Sequence, residues 1–191
     1  MSREDDGLRV VAPQEHGLVL WLTGVSGAGK TTLAGLLAAR YESQGNVVDV
    51  LDGDAVRQHL SKGLGFSPED RDTNVQRIAW VASRIARTGA VVVVAAISPY
   101  AKGREEARRL IEKHARFVEI HVSASIETCA QRDPKGLYAK AFRGEILDFT
   151  GVSAPYEAPV TPDVRIDTES SGPEECLELI LARLRELRLA I

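Results

Sequence analysis

The stretch GVSGAGKTT, residues 24–32, constrains the fold of this chain more than any other part of its sequence. It follows directly on the apolar run LVLWLT and precedes leucines at helical spacing, so it predicts a loop between a buried strand and a helix. Glycines let such a loop curl its backbone N–H groups around an anion, and the N-terminus of the helix adds a favourable dipole. The stretch therefore predicts an anion site at the end of a strand.

The loop has the form G-x-x-x-x-G-K-[ST], which is typical of nucleoside triphosphate sites. We expect Lys30 to reach the outer phosphates and Thr31 to ligate Mg²⁺ through its hydroxyl. The alternative is a chance glycine-rich turn, which is disfavoured because the motif stands in the strand–loop–helix context that it requires. The predicted triphosphate-binding residues of the loop are Gly24, Val25, Ser26, Gly27, Ala28, Gly29, Lys30, Thr31 and Thr32.

Strand-like and helical patterns alternate along the chain. Strands that are buried on both faces of a parallel sheet read as near-continuous apolar runs, and helical patterns with apolar stripes lie between these runs. The alternation predicts an α/β fold, a parallel five-stranded sheet with helices on both faces. The predicted strands are residues 18–23, 47–51, 90–97, 117–122 and 163–167. The predicted helices follow the loop up to Gly45, begin at Ser67 and Pro68, and cover about 104–114, 125–132 and 173–189.

Composition limits the classes of protein that remain. A length of 191 residues with 44% hydrophobic residues suits one globular domain, which we expect to span residues 17–191. The longest apolar run, residues 90–97, is far shorter than the roughly 20 residues that a membrane helix needs. Residues 1–16 carry acids and no apolar block, so we expect an N-terminal arm rather than a secretory signal.

Charge and cysteine content narrow the choice further. A formal net charge of −3 argues against nonspecific binding of nucleic acid, which normally needs a broad basic face. Cys129 and Cys176 are isolated in the sequence, so neither a disulfide framework nor a zinc site is indicated. A reducing, cytoplasmic location is the resulting expectation.

Two carboxylates follow the second predicted strand. Asp52 and Asp54 flank a glycine in LDGD, and ligands in open α/β sheets gather beyond the carboxyl ends of strands. The pair could orient water on Mg²⁺ or accept the proton of an attacking hydroxyl. Turn formation and helix capping are the alternative roles, and the expected position of the acids beside Lys30 favours function.

The loop by itself leaves GTPases, motor-type ATPases and small-molecule kinases open. The N-K-x-D motif by which GTPases usually recognise their base does not occur in the sequence. An ATPase usually ends a later apolar strand in an acid that holds Mg²⁺, whereas the run at 90–97 is followed by Ser98, Pro99 and Tyr100. The pattern favours a kinase.

A second anion site is predicted near the helix that begins at Pro68. Arg57 precedes it, and Arg71, Asn74 and Arg77 recur at three-residue intervals, which places them on adjoining turns. Arginines at a helix start bind anions well. The alternative, a solvated face whose arginines pair with neighbouring acids, is left equally open by the sequence. Phe66, between glycine-containing turns, is suited to stacking on a planar ring.

The segment RDPKGLYAKAFRGEILDFTG, residues 132–151, reads like neither a helix nor a strand. Between Arg132 and Arg143 it has four basic residues and one acid, and it contains three glycines. Beside a phosphate site it predicts a mobile lid, whose glycines permit movement and whose cations screen phosphate charge.

These stretches together resemble the adenylylsulfate kinases. The similarity runs from about residue 17 to residue 191 through the phosphate loop, LDGDAVR, GLGFSPEDR, ISPYA, RDPKGLYAKA and FTGV…PYE, in that order. The resemblance implies a P-loop kinase fold and transfer of phosphate from ATP to the 3′-hydroxyl of adenosine 5′-phosphosulfate (APS), giving 3′-phosphoadenosine 5′-phosphosulfate (PAPS) and ADP in sulfate activation. It also implies Mg²⁺ and a homodimer.

The resemblance assigns roles to individual residues. Arg57, Arg71 and Asn74 would hold the phosphosulfate part of APS. Phe66 and Phe149 would enclose the adenine of APS. Arg132 would lie near the adenine of ATP, and Ser98 would have a hydrogen-bonding or turn role rather than a phosphoserine role. The implied catalytic residues are Lys30, Asp52 and Asp54, and the implied metal ligands are Thr31 and Asp52. The implied substrate-binding residues are Asp54, Arg57, Phe66, Arg71, Asn74, Ile97, Ser98, Lys135, Lys140 and Phe149.

Two other functions remain open at this level. One is a P-loop kinase that acts on a nucleoside monophosphate or a sugar acid. The other is a non-catalytic nucleotide-binding partner of an ATP sulfurylase. The sequence also departs from the family pattern at Ser153 and Ala154, where an Asp is common, and this departure bears on how the lid is held.

Overall fold

A computed structural model describes residues 17–189. Its sheet has five strands, all parallel, in the order β2-β3-β1-β4-β5. The five predicted strands are confirmed with small shifts at their ends. They are β1 (Leu18–Thr23), β2 (Val48–Asp52), β3 (Val91–Ala95), β4 (Arg116–Ser123) and β5 (Val164–Asp167). The predicted arm, residues 1–16, lies outside the described residues.

Seven helices connect and flank these strands within residues 17–189. Ser67 caps the third helix through its side chain, which accepts a hydrogen bond from the Asp70 N–H at 3.1 Å, and Pro68 is its first residue, as predicted. The helices are α1 (Lys30–Ser43), α2 (Gly53–His59), α3 (Pro68–Ala86), α4 (Ala101–Ile111), α5 (Ile126–Arg132), α6 (Leu137–Phe142) and α7 (Pro173–Glu186).

Two of these helices are absent from the sequence-based prediction. No helix was predicted over Gly53–His59, although helix capping was named as one role for the acids of LDGD, and Asp52 does cap a short helix there. The prediction that residues 132–151 contain no helix is wrong for Leu137–Phe142, whose buried Tyr138 and Ala141 pack inward. Both helices are short, and neither presents the long apolar stripe by which a helix is recognised in a sequence.

The core lies on both faces of the sheet. Side chains alternate between the faces along β1, so Leu20 and Leu22 pack with α1 and α7, whereas Val19 and Trp21 pack with α3 and α4. All of these β1 side chains are fully buried. β1 is therefore a rigid central strand, and the phosphate loop begins at its carboxyl end. In the described part of the chain, no helix is long and apolar enough to cross a membrane.

The strand register brings the predicted site residues to one edge. Leu22 of β1 and Asp52 of β2 both pair with Ala95 of β3, and Thr23 pairs with His121 of β4. Because all strands are parallel, their carboxyl ends meet at the same edge of the sheet. The loops that follow these strands are therefore neighbours in space although they are distant in sequence.

His121 on β4 makes stability depend on pH. Its side chain is buried, and its Nδ1 has no hydrogen-bond partner among residues 17–189. Burial, reinforced by the charges of Arg165 and Arg104, lowers its pKa from 6.5 to about 4. The unfolded chain therefore binds more protons between these two values than the folded chain does. This contribution to stability is complete above pH 6.5 and is lost as the pH falls to about 4.

We expect His121→Asn to remove this acid sensitivity. Between pH 6.5 and 4, the free energy of unfolding of the wild type should fall by about 3 kcal/mol more than that of the variant. The reason is that over this range His121 binds a proton in the unfolded chain but not in the folded one. Urea unfolding at several pH values measures it. His59→Asn, at an exposed position, is the matched control, and equal pH profiles for the wild type and His121→Asn would contradict the prediction.

Candidate active site

The phosphate loop joins β1 to α1. Gly29 adopts a left-handed conformation (φ 99°) just before Lys30, the first residue of the helix. At Gly24 any side chain would collide with the β4 backbone, since a Cβ atom would lie 2.4 Å from the Val122 carbonyl oxygen. The first turn of α1 has neither a capping side chain nor an acid, so its N–H groups and dipole are available to an anion.

Lys30 is the cation of this loop. Its side chain is only 8% exposed, and Nζ donates a hydrogen bond of 2.7 Å to the Val25 carbonyl. Burial lowers the pKa of Lys30 to about 8, an effect that the nearby charges of Asp52 and Asp54 partly oppose. A buried ammonium with one neutral partner is an incompletely compensated charge, which a phosphate oxygen would satisfy.

Two carboxylates lie beside the loop, as predicted. Thr31 Oγ1 donates to Asp52 Oδ2 at 2.8 Å, and Asp52 Oδ1 accepts from the Asp54 N–H at 2.9 Å. Asp52 therefore caps α2 and meets the phosphate loop at the same time, so the capping and functional roles are compatible. Asp54 forms an ion pair with Lys135 of the predicted lid segment.

Arg71 is not part of a solvated helix face. It is buried, and within residues 17–189 its guanidinium pairs with no carboxylate. Nε donates to the Phe66 carbonyl at 2.8 Å, Nη1 donates to Thr150 Oγ1 at 2.6 Å, and Nη2 donates to the Asp148 carbonyl. The ion-pair alternative is therefore wrong for Arg71, which instead joins the Phe66 turn to the end of the lid segment.

Asn74, one turn later on α3, is also buried. Its Oδ1 has no hydrogen-bond partner within the described residues, although buried amides are normally satisfied. The amide lines the cavity, and a half-turn of its plane exchanges the acceptor for a donor. An anion in the cavity would satisfy it. Arg77, in contrast, donates at 2.9 Å to the Leu60 carbonyl and has a structural contact.

Phe66 forms an aromatic surface beside these arginines. Its ring is 54% exposed, and the Arg57 guanidinium lies 4.3 Å from the ring centroid. Burial, and next the charge of Arg71, lower the pKa of Arg57, which shows that the two guanidinium groups repel each other. An anion placed near both groups would relieve that repulsion.

Phe149 lies in the lid segment and lines the same cavity as Phe66. Its ring packs edge-on against Tyr138 of α6 with 5.0 Å between centroids. Ser153, which stands where an Asp is common in the family, still fixes the backbone of Phe149, because Ser153 Oγ accepts a hydrogen bond of 2.9 Å from the Phe149 N–H. Phe149 therefore has an ordered backbone and a ring supported on one side.

One cavity of 1080 Å³ brings these groups together. Most of the predicted site residues line this cavity. They are Ser26, Gly27, Gly29, Lys30, Thr31, Thr32, Asp52, Asp54, Arg57, Phe66, Arg71, Asn74, Ile97, Ser98, Arg132, Lys135 and Phe149. Four predicted residues do not line it. Gly24, Val25 and Ala28 form the back of the loop, and Lys140 is exposed on α6.

Comparison of the sequence with protein families agrees with the kind of site that the cavity forms. The sequence model of the adenylylsulphate kinases matches residues 16–167, which is most of the chain. The chain belongs to the adenylylsulphate kinase family. The sequence-based predictions of a P-loop kinase fold, of an enzyme and of adenylylsulfate phosphorylation are thereby confirmed.

Individual adenylylsulphate kinases are similar to this chain over nearly its full length. The adenylyl-sulfate kinase of Chloroflexus aurantiacus is 53% identical over 96% of this chain and 97% of its own length. The crystallised APS kinase of Mycobacterium tuberculosis, in complex with AMPPNP and APS, superposes with a TM-score of 0.84 at 41% identity over 90% of this chain and 99% of its own. A probable bifunctional SAT/APS kinase of Sorangium cellulosum is 55% identical over 90% of this chain, which spans 29% of that protein.

Three contacts of this adenylylsulphate kinase site were missed in the sequence. Tyr138 donates from its hydroxyl to the Ser26 carbonyl at 2.9 Å and so connects α6 to the phosphate loop. Thr168, after β5, accepts from Arg132 at 3.1 Å and donates to the Ala28 carbonyl at 3.0 Å. The i, i+4 spacing of Tyr138 and Phe142 was the available signal for α6, whereas Thr168 had none.

Proposed function

We propose that the chain transfers the γ-phosphoryl group of ATP to the 3′-hydroxyl of APS and releases PAPS and ADP. The observation that carries the proposal is a single cavity lined on one side by the phosphate loop and on the other by Arg57, Arg71, Asn74 and two phenylalanine rings. A phosphate loop needs one anionic substrate. The second basic and aromatic side suits an acceptor that has both an anion and a planar base.

The chemistry follows from phosphoryl transfer through a loose transition state. The bond between the γ-phosphorus and its bridging oxygen breaks, the acceptor 3′-oxygen bonds to that phosphorus, and the hydroxyl proton leaves to a base or to solvent. Negative charge lies on the phosphoryl oxygens, so positioning and the charge of Lys30 contribute most. Asp54 orients the acceptor hydroxyl or takes its proton as a weak base.

Mg²⁺ would be held by Thr31 and Asp52 together with phosphate oxygens. The two side chains offer hard oxygen ligands that already lie 2.8 Å apart. Mg²⁺ is commonly held by one or two carboxylates plus substrate phosphates, so the small number of protein ligands fits. When bound, the ion neutralises charge on the phosphates.

Residues 132–151 act as a lid over this site in a kinase domain that spans residues 17–191. Gly136, Gly144 and Gly151 each have a positive φ, so the segment turns sharply at three points. Lys135 pairs with Asp54, and this ion pair must separate before Asp54 can meet the acceptor hydroxyl. Closure of the lid over bound ATP would exclude water and so suppress hydrolysis. Arg132, which donates to the Thr168 hydroxyl at 3.1 Å, would lie near the adenine of ATP.

The proposal includes a homodimer, small-molecule substrates and a cytoplasmic location. Both cysteines are free, which suits a reducing compartment. An association with an ATP sulfurylase is supported by the fused arrangement named for the Sorangium relative. Sedimentation of the purified chain tests the dimer.

A coupled assay of ADP release tests the proposed reaction. ATP and Mg²⁺ are supplied with APS, AMP, shikimate or gluconate in separate reactions, and the product is separated from the unreacted acceptor by chromatography. We expect stimulation by APS and a product that carries a 3′-phosphate. Absence of stimulation by APS, or stronger stimulation by another acceptor, would contradict the proposal.

Alkaline pH should weaken the use of ATP. Lys30 must be cationic to attract phosphate, and its pKa in the free enzyme is about 8. Because kcat/KM for ATP reports ionisations of the enzyme form that binds ATP, we expect it to fall about tenfold for each pH unit above that value. Steady-state rates from pH 6.5 to 10 at saturating APS measure it. A flat profile up to pH 10 would show that Lys30 stays charged.

A further inference from the structure

The turn at Ile97, Ser98 and Pro99 is held through three consecutive carbonyl groups. Thr23 Oγ1 donates to the Ile97 carbonyl at 2.7 Å, and Arg104 Nη1 donates to the Ser98 carbonyl at 2.8 Å. The Glu157 N–H donates to the Pro99 carbonyl at 2.8 Å. Ser98 has a left-handed backbone (φ 40°), which costs free energy in a residue other than glycine and so requires support from its surroundings.

Arg104 of α4 is the centre of these contacts. It is only 4% exposed, and Nε donates to Glu119 Oε1 at 2.7 Å, which neutralises its charge. Nη1 binds the turn, and Nη2 donates to the Glu157 carbonyl at 2.7 Å. All three nitrogens of one rigid plane thus bind groups from three different segments, a geometry that a lysine cannot reproduce.

The segment at the far side of Arg104 continues from Phe149. Ser153 and Ala154 donate from their N–H groups to the Phe149 carbonyl, each at 3.0 Å, so the chain after the ring forms a compact turn. Beyond it, Tyr156 shares a hydrogen bond of 3.0 Å with Thr23, and Glu157 Oε2 accepts from the Ala101 N–H at 2.7 Å. The PYE motif therefore serves as an anchor for the segment that carries Phe149.

We propose that Arg104 is a positioning residue for the acceptor APS. It joins the turn at residues 97–99, which lines the cavity, to the segment 149–157, which carries the Phe149 ring. Arg104 itself does not line the cavity, so it acts through these two segments. The inference rests on the proposed reaction and concerns the acceptor half of the site, because none of the hydrogen bonds that Arg104 makes within residues 17–189 is to the phosphate loop.

Arg104→Lys tests this role. The substitution keeps a positive charge opposite Glu119 but loses the planar set of donors. We expect KM for APS to rise about tenfold, because the turn at residues 97–99 and the segment that carries Phe149 would no longer be held in place for the acceptor, with KM for ATP unchanged. Arg108→Lys is the matched control, since Arg108 lies one turn later on α4 and forms a comparable ion pair of 2.6 Å with Asp163. It should lower stability without changing KM for APS.

Three measurements separate the outcomes. Urea unfolding compares the stability of both variants, and APS binding by titration calorimetry supplements the kinetics. Equal KM values for APS in Arg104→Lys and Arg108→Lys, or a parallel rise in KM for ATP, would overturn the positioning role. A wild type that neither binds nor phosphorylates APS would instead overturn the proposed reaction and the inference with it.

A second variant tests the positioning role of Arg104 if Arg104→Lys does not fold. Glu157→Ala, at an exposed position, removes only the carboxylate that binds the start of α4 and keeps the backbone contacts of Glu157. We expect a smaller rise in KM for APS, again with KM for ATP unchanged. An unchanged KM for APS in this folded variant would contradict the inference.

Discussion

Replacing Lys30 by methionine is expected to lower kcat for phosphoryl transfer by about 10²- to 10³-fold, as loss of a preorganised charge at the reacting group does elsewhere. Lys30 is the buried cation of the phosphate loop, and its Nζ has one neutral partner, the Val25 carbonyl at 2.7 Å. Methionine keeps the length and apolar stem of the side chain, so the loop should keep its shape. Single-turnover transfer from ATP to APS measures the effect.

The exposed Lys113→Met provides the control for loss of a cation, and urea unfolding shows whether either variant has lost stability. We expect ADP release by Lys113→Met to equal that of the wild type. Removal of a buried, partly desolvated ammonium should leave the stability of Lys30→Met unchanged or raised. Transfer by Lys30→Met within a few per cent of the control would show that the loop and the metal suffice without this charge.

Phe149→Ala is expected to raise KM for APS by about tenfold to a hundredfold, because stacking of a base on an aromatic side chain contributes about 1–3 kcal/mol. The ring lines the acceptor side of the cavity and is supported edge-on by Tyr138 at 5.0 Å. KM for ATP should change much less. Initial rates with each substrate varied in turn separate the two constants.

Phe142→Ala is the matched control for Phe149→Ala. Phe142 lies in the same segment and also packs against Tyr138, with 6.2 Å between centroids, yet it is 62% exposed and does not line the cavity. Both substitutions remove an aromatic contact to Tyr138, but only one removes the proposed stacking surface. If the two variants raised KM for APS equally, the effect would belong to packing of the lid segment rather than to contact with adenine.

Long apolar runs made most of the fold predictable. Strands such as Val91–Ala95 are buried on both faces, so their composition alone identifies them. The helix α3 was also predictable, because Ser67 and Pro68 mark its start. The short helix α6 escaped prediction because a tertiary contact stabilises it, the hydrogen bond from Tyr138 to the phosphate loop. The short helix α2 has a local cap from Asp52, but its seven residues are too few to show an apolar stripe.

The candidate site was predictable to a different degree on its two sides. The phosphate loop is a contiguous motif whose backbone geometry and helix dipole follow from nine adjacent residues. On the acceptor side, the sequence left Arg71 open between an anion site and a solvated ion pair. Burial and two hydrogen bonds to distant groups, Thr150 Oγ1 and the Asp148 carbonyl, exclude the solvated pair, and no local pattern could have shown them.

Local sequence was therefore sufficient for the alternation of strands and helices to be recognised as an α/β fold, and for the phosphate loop. The three-dimensional arrangement was needed to show that Asp52 both caps α2 and contacts Thr31, and that Arg104 binds both the Ser98 carbonyl and the Glu157 carbonyl. The physical reason is the distance along the chain between the residues that interact. Backbone conformation and burial patterns are set by neighbours along the chain, whereas a guanidinium or carboxylate acquires its role from partners that only the folded sheet brings within hydrogen-bond distance.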